Sequence, residues 1–373
     1  LGHVDEAVQN YRFYLKAYPD DATARFDLGV ILLQTARHEE AIKEFKEVLR
    51  LDPMFTRAWI NLATSYSDLD RPSEALANYA KAFELEPTWV TLGNLNHEYG
   101  FTLVRNGDVP KAREVFGLAL AKRNMEEYAL RSLALVDMYE GKYREAQARL
   151  REAIRISEGD PEPLSRSRHH IFLAILMEGQ DDRAGQLREL DRALEALEKG
   201  SSPPAWLAAR IGAGYARAGD VGKAARILRK ISSQTDRDNP SGAADFNILE
   251  GEIALASRNY TRGIEKLQLG AQAIPLPLGL ASLAHAYQRA GSTDEAIACD
   301  EKLVGLGRRA LGWEPQQSWL EAHAELAEMY LSRGERTKAA QMVGELARLW
   351  KDADPNLPLV KKINRLQKQI QGH

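Results

Sequence analysis

Small and large apolar residues recur along this chain in a fixed register. A small side chain stands at Gly29, Ala63, Gly100, Ala134, Gly212, Gly251 and Ala284, and a large one precedes it in most copies (Leu28, Leu62, Tyr99, Leu133, Ile211, Leu283). Three residues later comes a second bulky group, such as Leu32, Tyr66, Leu103, Tyr215 or Tyr287. Twelve residues after each small position lies an anchor, Ala41, Ala75, Ala112, Ala146, Ala224, Gly263 or Ala296, preceded by a polar turn such as TARHEEA, NGDVPKA or EGKYREA. Four residues past the anchor stands Phe45, Tyr79, Phe116, Leu150, Leu228 or Leu267. Twelve past it, proline closes four copies, at Pro19, Pro53, Pro87 and Pro275.

The spacing i, i+1, i+4 makes one apolar stripe on a helix. The pattern therefore predicts two helices per copy, one before the polar turn and one after it. The small residue lets the two approach closely, and the anchor fills the facing position. Acidic residues after the turn suit the N-terminus of the second helix, and proline ends it because it cannot continue the hydrogen-bond ladder. Such a pair cannot bury its own face alone, so the copies must stack.

The anchors Ala7, Ala41 and Ala75 are 34 residues apart, as are Ala112 and Ala146. Trp59, Leu62, Ala63, Tyr66, Ala75, Tyr79 and Pro87 follow the order W-x2-L-G-x2-Y, A-x3-F, P within one such stretch. The chain thus resembles the tetratricopeptide repeat over nearly its whole length, and the expected fold is an all-α, right-handed α-solenoid with a C-terminal capping helix. Units are placed at about 22–55, 56–89, 93–126, 127–160, 167–200, 205–238, 244–276, 277–310 and 320–353, after a half-unit at 1–21. Because Leu1–Ala7 opens inside a unit, a first helix is expected upstream.

The expected organisation is a regular array over 1–160, a divergent array with inserted loops over 161–353, and a capping helix and tail over 354–373. The fifth unit departs most, with Phe172 where a small residue should stand and Arg188 where a bulky one should follow the anchor Ala184. Inserts and prolines (Pro161, Pro163, Pro203, Pro204) near 160–205 predict a change of pitch there. The basic, amphipathic segment Leu359–Ile370 reads as a cap with a polar outer face, or else as a partner-binding helix. The ending also resembles the C-termini of tetratricopeptide regions that follow kinase or winged-helix domains in bacterial signalling proteins.

At 373 residues the chain exceeds what one compact core serves, a limit that an array avoids. A net charge of −3 argues against nucleic acid as a partner, and no stretch is long and apolar enough to be a membrane span. The single Cys299 excludes an internal disulfide framework and a cysteine-built zinc site, and is compatible with cytosol or periplasm. No cofactor or metal is expected. The glycines of Gly212–Gly219 follow a helix and are misplaced for a dinucleotide loop. His169 and His170 point about 100° apart on a helix and have no ligand partners in sequence. Nor does any carboxylate pair form a catalytic constellation.

The remaining site is the groove. In the tetratricopeptide family the first helix of each unit lines the concave face, so the resemblance implies Phe26, Val30 and Leu33; Arg57, Ile60, Thr64 and Ser67; His97, Phe101 and Val104; and Tyr128, Arg131, Leu135 and Met138. Among these, Phe26, Val30, Arg57, Thr64, His97, Phe101, Arg131 and Leu135 are the candidate partner-binding residues. Phe26 and Val30 stand where chaperone adaptors of the family carry a carboxylate clamp, so that clamp is absent. The expected function is a non-catalytic scaffold or adaptor for a protein or peptide partner, with self-association as a further class of contact. Two alternatives are a sensory or regulatory region of a larger bacterial kinase or winged-helix regulator, and a substrate-docking superhelix of an enzyme whose catalytic domain lies elsewhere.

Overall fold

A computed structural model describes residues 2–159, 164–307, 311–312 and 314–372; Pro161 and Pro163 lie outside them. Twenty α-helices follow one another, with no strand among the described residues. They are α1 (Gly2–Ala17), then the pairs α2 (Ala22–Gln34) and α3 (His38–Leu51), α4 (Thr56–Asp68) and α5 (Pro72–Leu85), and α6 (Gly93–Arg105) and α7 (Val109–Leu120). Next come α8 (Glu126–Tyr139) and α9 (Tyr143–Ile156), α10 (Leu164–Glu178) and α11 (Arg183–Glu198), α12 (Ala205–Arg217) and α13 (Val221–Ile231). The chain finishes with α14 (Pro240–Ala256) and α15 (Tyr260–Ala273), α16 (Pro277–Ala290) and α17 (Thr293–Gly305), α18 (Gln317–Ser332) and α19 (Arg336–Leu349), and α20 (Pro358–Gln371). These pairs follow the units read from the periodicity, and the fold class is the expected α-solenoid of tetratricopeptide-type repeats. No helix among the described residues is long and apolar enough to cross a membrane. The chain divides into two compact units, Leu1–Ser132 and Leu133–His373.

One turn chemistry serves every pair. Each turn holds one residue in the left-handed region: Ala36, Asp70, Gly107, Gly141, Asp181, Gly219, Arg258, Gly291 and Gly334. The next residue then donates its backbone N–H to the carbonyl five residues back, as in Arg37 to Leu32 (2.8 Å), Asp108 to Leu103 (2.9 Å) and Glu335 to Tyr330 (2.8 Å). That bond ties off a C-terminal carbonyl of the first helix and fixes where the second begins.

This turn corrects the reading of the fifth unit. Its left-handed residue is Asp181 and its helix cap is Asp182, whose side chain accepts from Gly185 N at 2.8 Å. The repeat register therefore runs two residues later than the alanine motif implied. Gln186 takes the anchor position, Ala174 the small one and Leu190 the bulky one, all buried, while Arg188 projects outward. A non-glycine turn and a glutamine at the anchor hid the register.

Close approach within pairs is set by the small residues. A Cβ added to Gly100 would meet Phe116 Cε1 and Cζ at 2.4 Å, and Phe116 is fully buried. Gly100→Ala should accordingly destabilise the first unit by about 1–3 kcal/mol through overpacking, read as a lower urea midpoint at unchanged far-UV circular dichroism.

In the second unit the last helices meet the first. Trp350 Nε1 donates to Tyr139 O (2.9 Å), Asp354 N to Gly141 O (3.0 Å) and Gln317 Nε2 to Met138 O (3.2 Å). The Asp354 carboxylate accepts from Arg144 N at 3.0 Å, capping α9 from 210 residues away. Tyr143 packs edge-on against the Trp350 ring, with centroids 5.9 Å apart. Gly141 makes this possible twice over: its φ is +75°, and a Cβ there would sit 2.6 Å from Ala353 Cβ. α20 packs on α18 and α19, with Ile363 and Leu366 buried, and Lys362 reaches Glu328 at 2.8 Å.

Candidate functional site

All eight candidate residues sit on first helices: Phe26 and Val30 on α2, Arg57 and Thr64 on α4, His97 and Phe101 on α6, Arg131 and Leu135 on α8. Leu135 falls in the second unit and the other seven in the first. Burial separates them. Phe26, His97, Phe101 and Leu135 are 4%, 2%, 2% and 2% exposed, so they are enclosed side chains and not open groove. Val30, Thr64 and Arg131 are half-buried, and Arg57 is exposed.

The physical reason is that an inward position on one first helix also borders the first helix of the next repeat. Phe26 stacks on Phe55 at 4.9 Å between centroids and tilts against Phe45 at 5.9 Å. Phe101 lies 5.0 Å from Phe116 and edge-on to His97 at 4.7 Å. His97 Nδ1 is 3.3 Å from Ser132 Oγ, and its ring is 5.4 Å from that of Tyr128. The aromatic groove expected from sequence is thus largely spent on packing.

The accessible remainder is polar and cationic. Arg57 lies over the Phe26 ring at 4.9 Å, and Arg131 over the Tyr128 ring at 4.8 Å. Stacking on the ring face orients a guanidinium while leaving its edge donors free to face outward. Burial pushes the Tyr128 hydroxyl up to about 12, so it stays neutral.

Between these two shelves lies a hydrogen-bonded set of which sequence reasoning placed only Thr64 and Ser67 in the groove. Thr64 Oγ1 donates to Glu98 Oε2 at 3.1 Å, and Tyr79 OH donates to the same oxygen at 3.3 Å. Burial holds the Glu98 carboxyl above the usual range. Ser67 Oγ and Thr102 Oγ1 are 3.1 Å apart, and Arg105 donates to Thr102 Oγ1 at 3.1 Å. Burial also lowers the Arg105 guanidinium. The signal was present in the spacing: Thr64 to Glu98, Ser67 to Thr102 and His97 to Ser132 are polar pairs one repeat apart. Elsewhere, His169 and His170 are buried in α10, and His170 Nδ1 lies 2.7 Å from Glu189 Oε2.

Residues 1–54 match one tetratricopeptide-repeat family model and residues 56–88 match a second. The Xenopus laevis Tetratricopeptide repeat protein 37 is 39% identical over 62 residues, which is 16% of this chain and 4% of that protein. The human Protein O-mannosyl-transferase TMTC3 is 27% identical over 157 residues, 41% of this chain and 17% of that protein. The chain therefore spans only a small part of the length of the curated relatives it matches. A solved tetratricopeptide repeat protein from Parabacteroides merdae superposes with a TM-score of 0.50 at 16% identity, covering 71% of this chain and 98% of the other. At that identity the likeness is one of fold.

Proposed function

We propose that this chain, a helical solenoid whose residues 1–54 and 56–88 match tetratricopeptide-repeat models, is a protein-interaction scaffold whose first unit holds a peptide segment of its partner across the first helices α4 to α8. The observation that carries the reading is the pair of arginines on aromatic shelves, Arg57 over Phe26 and Arg131 over Tyr128. Two oriented guanidiniums on one run of first helices suit acidic side chains, which accept bidentate, charge-assisted hydrogen bonds. The shelves are packed before a partner arrives, so little ordering entropy opposes binding. Affinity then comes from a few oriented groups, while the half-buried Thr64 offers a polar contact between them. Glu98 there is buried and engaged by Thr64 and Tyr79.

Exchange of both cations in Arg57→Glu/Arg131→Glu reverses the sign of the face without touching the buried rings. The double variant and the parent chain, each immobilised and crosslinked in source lysate, are compared by quantitative mass spectrometry. Partners crosslinked to α4–α8 of the parent should drop at least about tenfold in the variant, on the scale of losing one good charge-assisted contact. Equal recovery by both proteins would sink the reading.

A further inference from the structure

The second unit surrounds a cavity of about 650 Å³, bordered by inner faces of α10, α12, α14, α16 and α18. This is the size of a small-molecule site. Its lining is part apolar, with Phe172, Ile175, Leu255, Leu278 and Ala281, and part charged, with carboxylates outnumbering arginines among the described residues. Two of the acids share one cation: Arg217 reaches Glu178 at 2.9 Å and Glu252 at 3.5 Å. A third, Glu325, accepts from Gln288 Nε2 at 3.2 Å.

Asp300 and Glu321 are different. Asp300 is 1% exposed and borders the cavity, and among the described residues no donor reaches its buried Oδ2. It also stands at the wrong place for a carboxylate. Four residues past its anchor Ala296, it takes the position held by Phe45, Tyr79, Phe116, Leu150, Leu228 and Leu267 in other repeats. Glu321 makes no hydrogen bond or ion pair among the described residues; Arg217 and Lys362 act on it only through space. A buried carboxyl oxygen without a donor is a standing loss of stability; Asp300 carries that loss, while Glu321 stands exposed on the same cavity. The exposed Arg258 and Arg289 also border the cavity, while Arg217 is already engaged.

We propose that this cavity binds a small organic cation, an alkylammonium or guanidinium group on an apolar body, with Asp300 and Glu321 taking the charge and the aliphatic lining taking the body. The site lies within the second unit and is independent of the partner face of the first. Its chemistry predicts a proton count. Burial, reinforced by Glu325, pushes the Asp300 carboxyl up to about 8; the exposed Glu321 is raised in the same direction by partial desolvation, Glu178 and Glu325, with less force because water reaches it. The groups facing Glu321 are Glu178 of α10, Arg217 of α12, Glu325 of α18 and Lys362 of α20, and it in turn raises Tyr143 of α9. Those facing Asp300 are Glu325 and Tyr330 of α18 and Lys362 of α20, with His285 and Arg289 of α16 on the same cavity. Without a ligand Asp300 holds its proton at neutral pH; a cation displaces it, so binding releases protons and tightens as pH rises.

The test is isothermal titration calorimetry of the full chain with spermidine, and separately with Nα-acetyl-arginine amide as a stand-in for a partner's side chain. Each is run at pH 7.0 and 8.5, in two buffers of different ionisation enthalpy. The expected result is binding of at least one probe with proton release at pH 7.0, and affinity roughly tenfold higher at pH 8.5. The same affinity should fall at least about tenfold in Asp300→Asn and in Glu321→Gln. Both substitutions keep the side-chain shape, and thermal melts confirm that the variants fold. Whichever probe binds names the source of the cation. Failure of both probes to bind the parent, or binding by the two variants as tight as by the parent, overturns the proposal.

Discussion

Trp350→Ala should lower the stability of the second unit by about 3–5 kcal/mol, the range for removing a buried tryptophan. The side chain is 5% exposed, so truncation leaves a cavity and not a solvated notch. It also removes the donor to Tyr139 O, and with it the ring that covers Gly141 and Tyr143. The buried carbonyl left without its donor adds to the loss. The urea midpoint should fall accordingly. The sharper readout is amide hydrogen exchange: Arg144 N, capped by Asp354 from the segment that Trp350 pins, should lose protection, whereas α4–α5 in the first unit should not. Unchanged exchange at Arg144 would mean that the junction holds without the indole. Asp354→Ala tests the same junction more gently, with about 1 kcal/mol expected for loss of a cap.

The second large effect is on pH. For a carboxyl whose folded pKa lies above its unfolded one, the unfolded chain gives up the proton first. The stabilisation is therefore complete below the unfolded value and disappears as pH rises through the folded value. Asp300 goes from an ordinary 3.8 to about 8, and Glu321 is raised from 4.5 with less force; Asp245, pushed by burial to about 6, acts in the same direction. Melting temperature of the second unit should therefore decline from pH 5 to pH 9. The enclosed Asp300 should contribute on the order of a few kcal/mol to that decline; Glu321, which faces the open cavity, contributes less because water screens it. Asp300→Asn should flatten the slope and raise stability at pH 8 relative to the parent. A parent protein equally stable at pH 5 and pH 8.5 contradicts this account.

What the sequence made legible was local. Helix pairs, their turns and the tight approach at Gly29 or Gly100 follow from side-chain size recurring at helical spacing, and no distant information is needed to find them. The fifth unit escaped because Asp181 adopts a left-handed turn without being glycine and Gln186 fills an alanine's place, so the visible motif pointed two residues too early. The groove residues were assigned to the correct helices, but Phe26, His97 and Phe101 turned out to be enclosed. Position within a repeat fixes which way a side chain points; how much of it the next repeat covers depends on the neighbour's own residues, such as Phe55 and Tyr128. The Trp350–Tyr139 and Asp354–Arg144 contacts join positions more than 200 residues apart, and nothing in either segment's periodicity names the other. Asp300 was the opposite case, a residue whose break from the pattern was in plain view and whose meaning came only with the cavity beside it.

The contacts of Trp350 and Asp354 with α8 and α9 bear on how the second unit acquires its structure in time. A repeat array with free ends assembles by short-range steps and frays from its termini inward, each repeat answering only to its neighbours. A closing contact spanning some 210 residues of sequence must wait for a large loop entropy to be overcome, so it forms last and raises the unit's contact order. Once formed, it removes the terminus from which unzipping would start. Helical signal should therefore appear quickly in refolding, with the Trp350 fluorescence change trailing it, and unfolding should be a single slow event where an open array would peel.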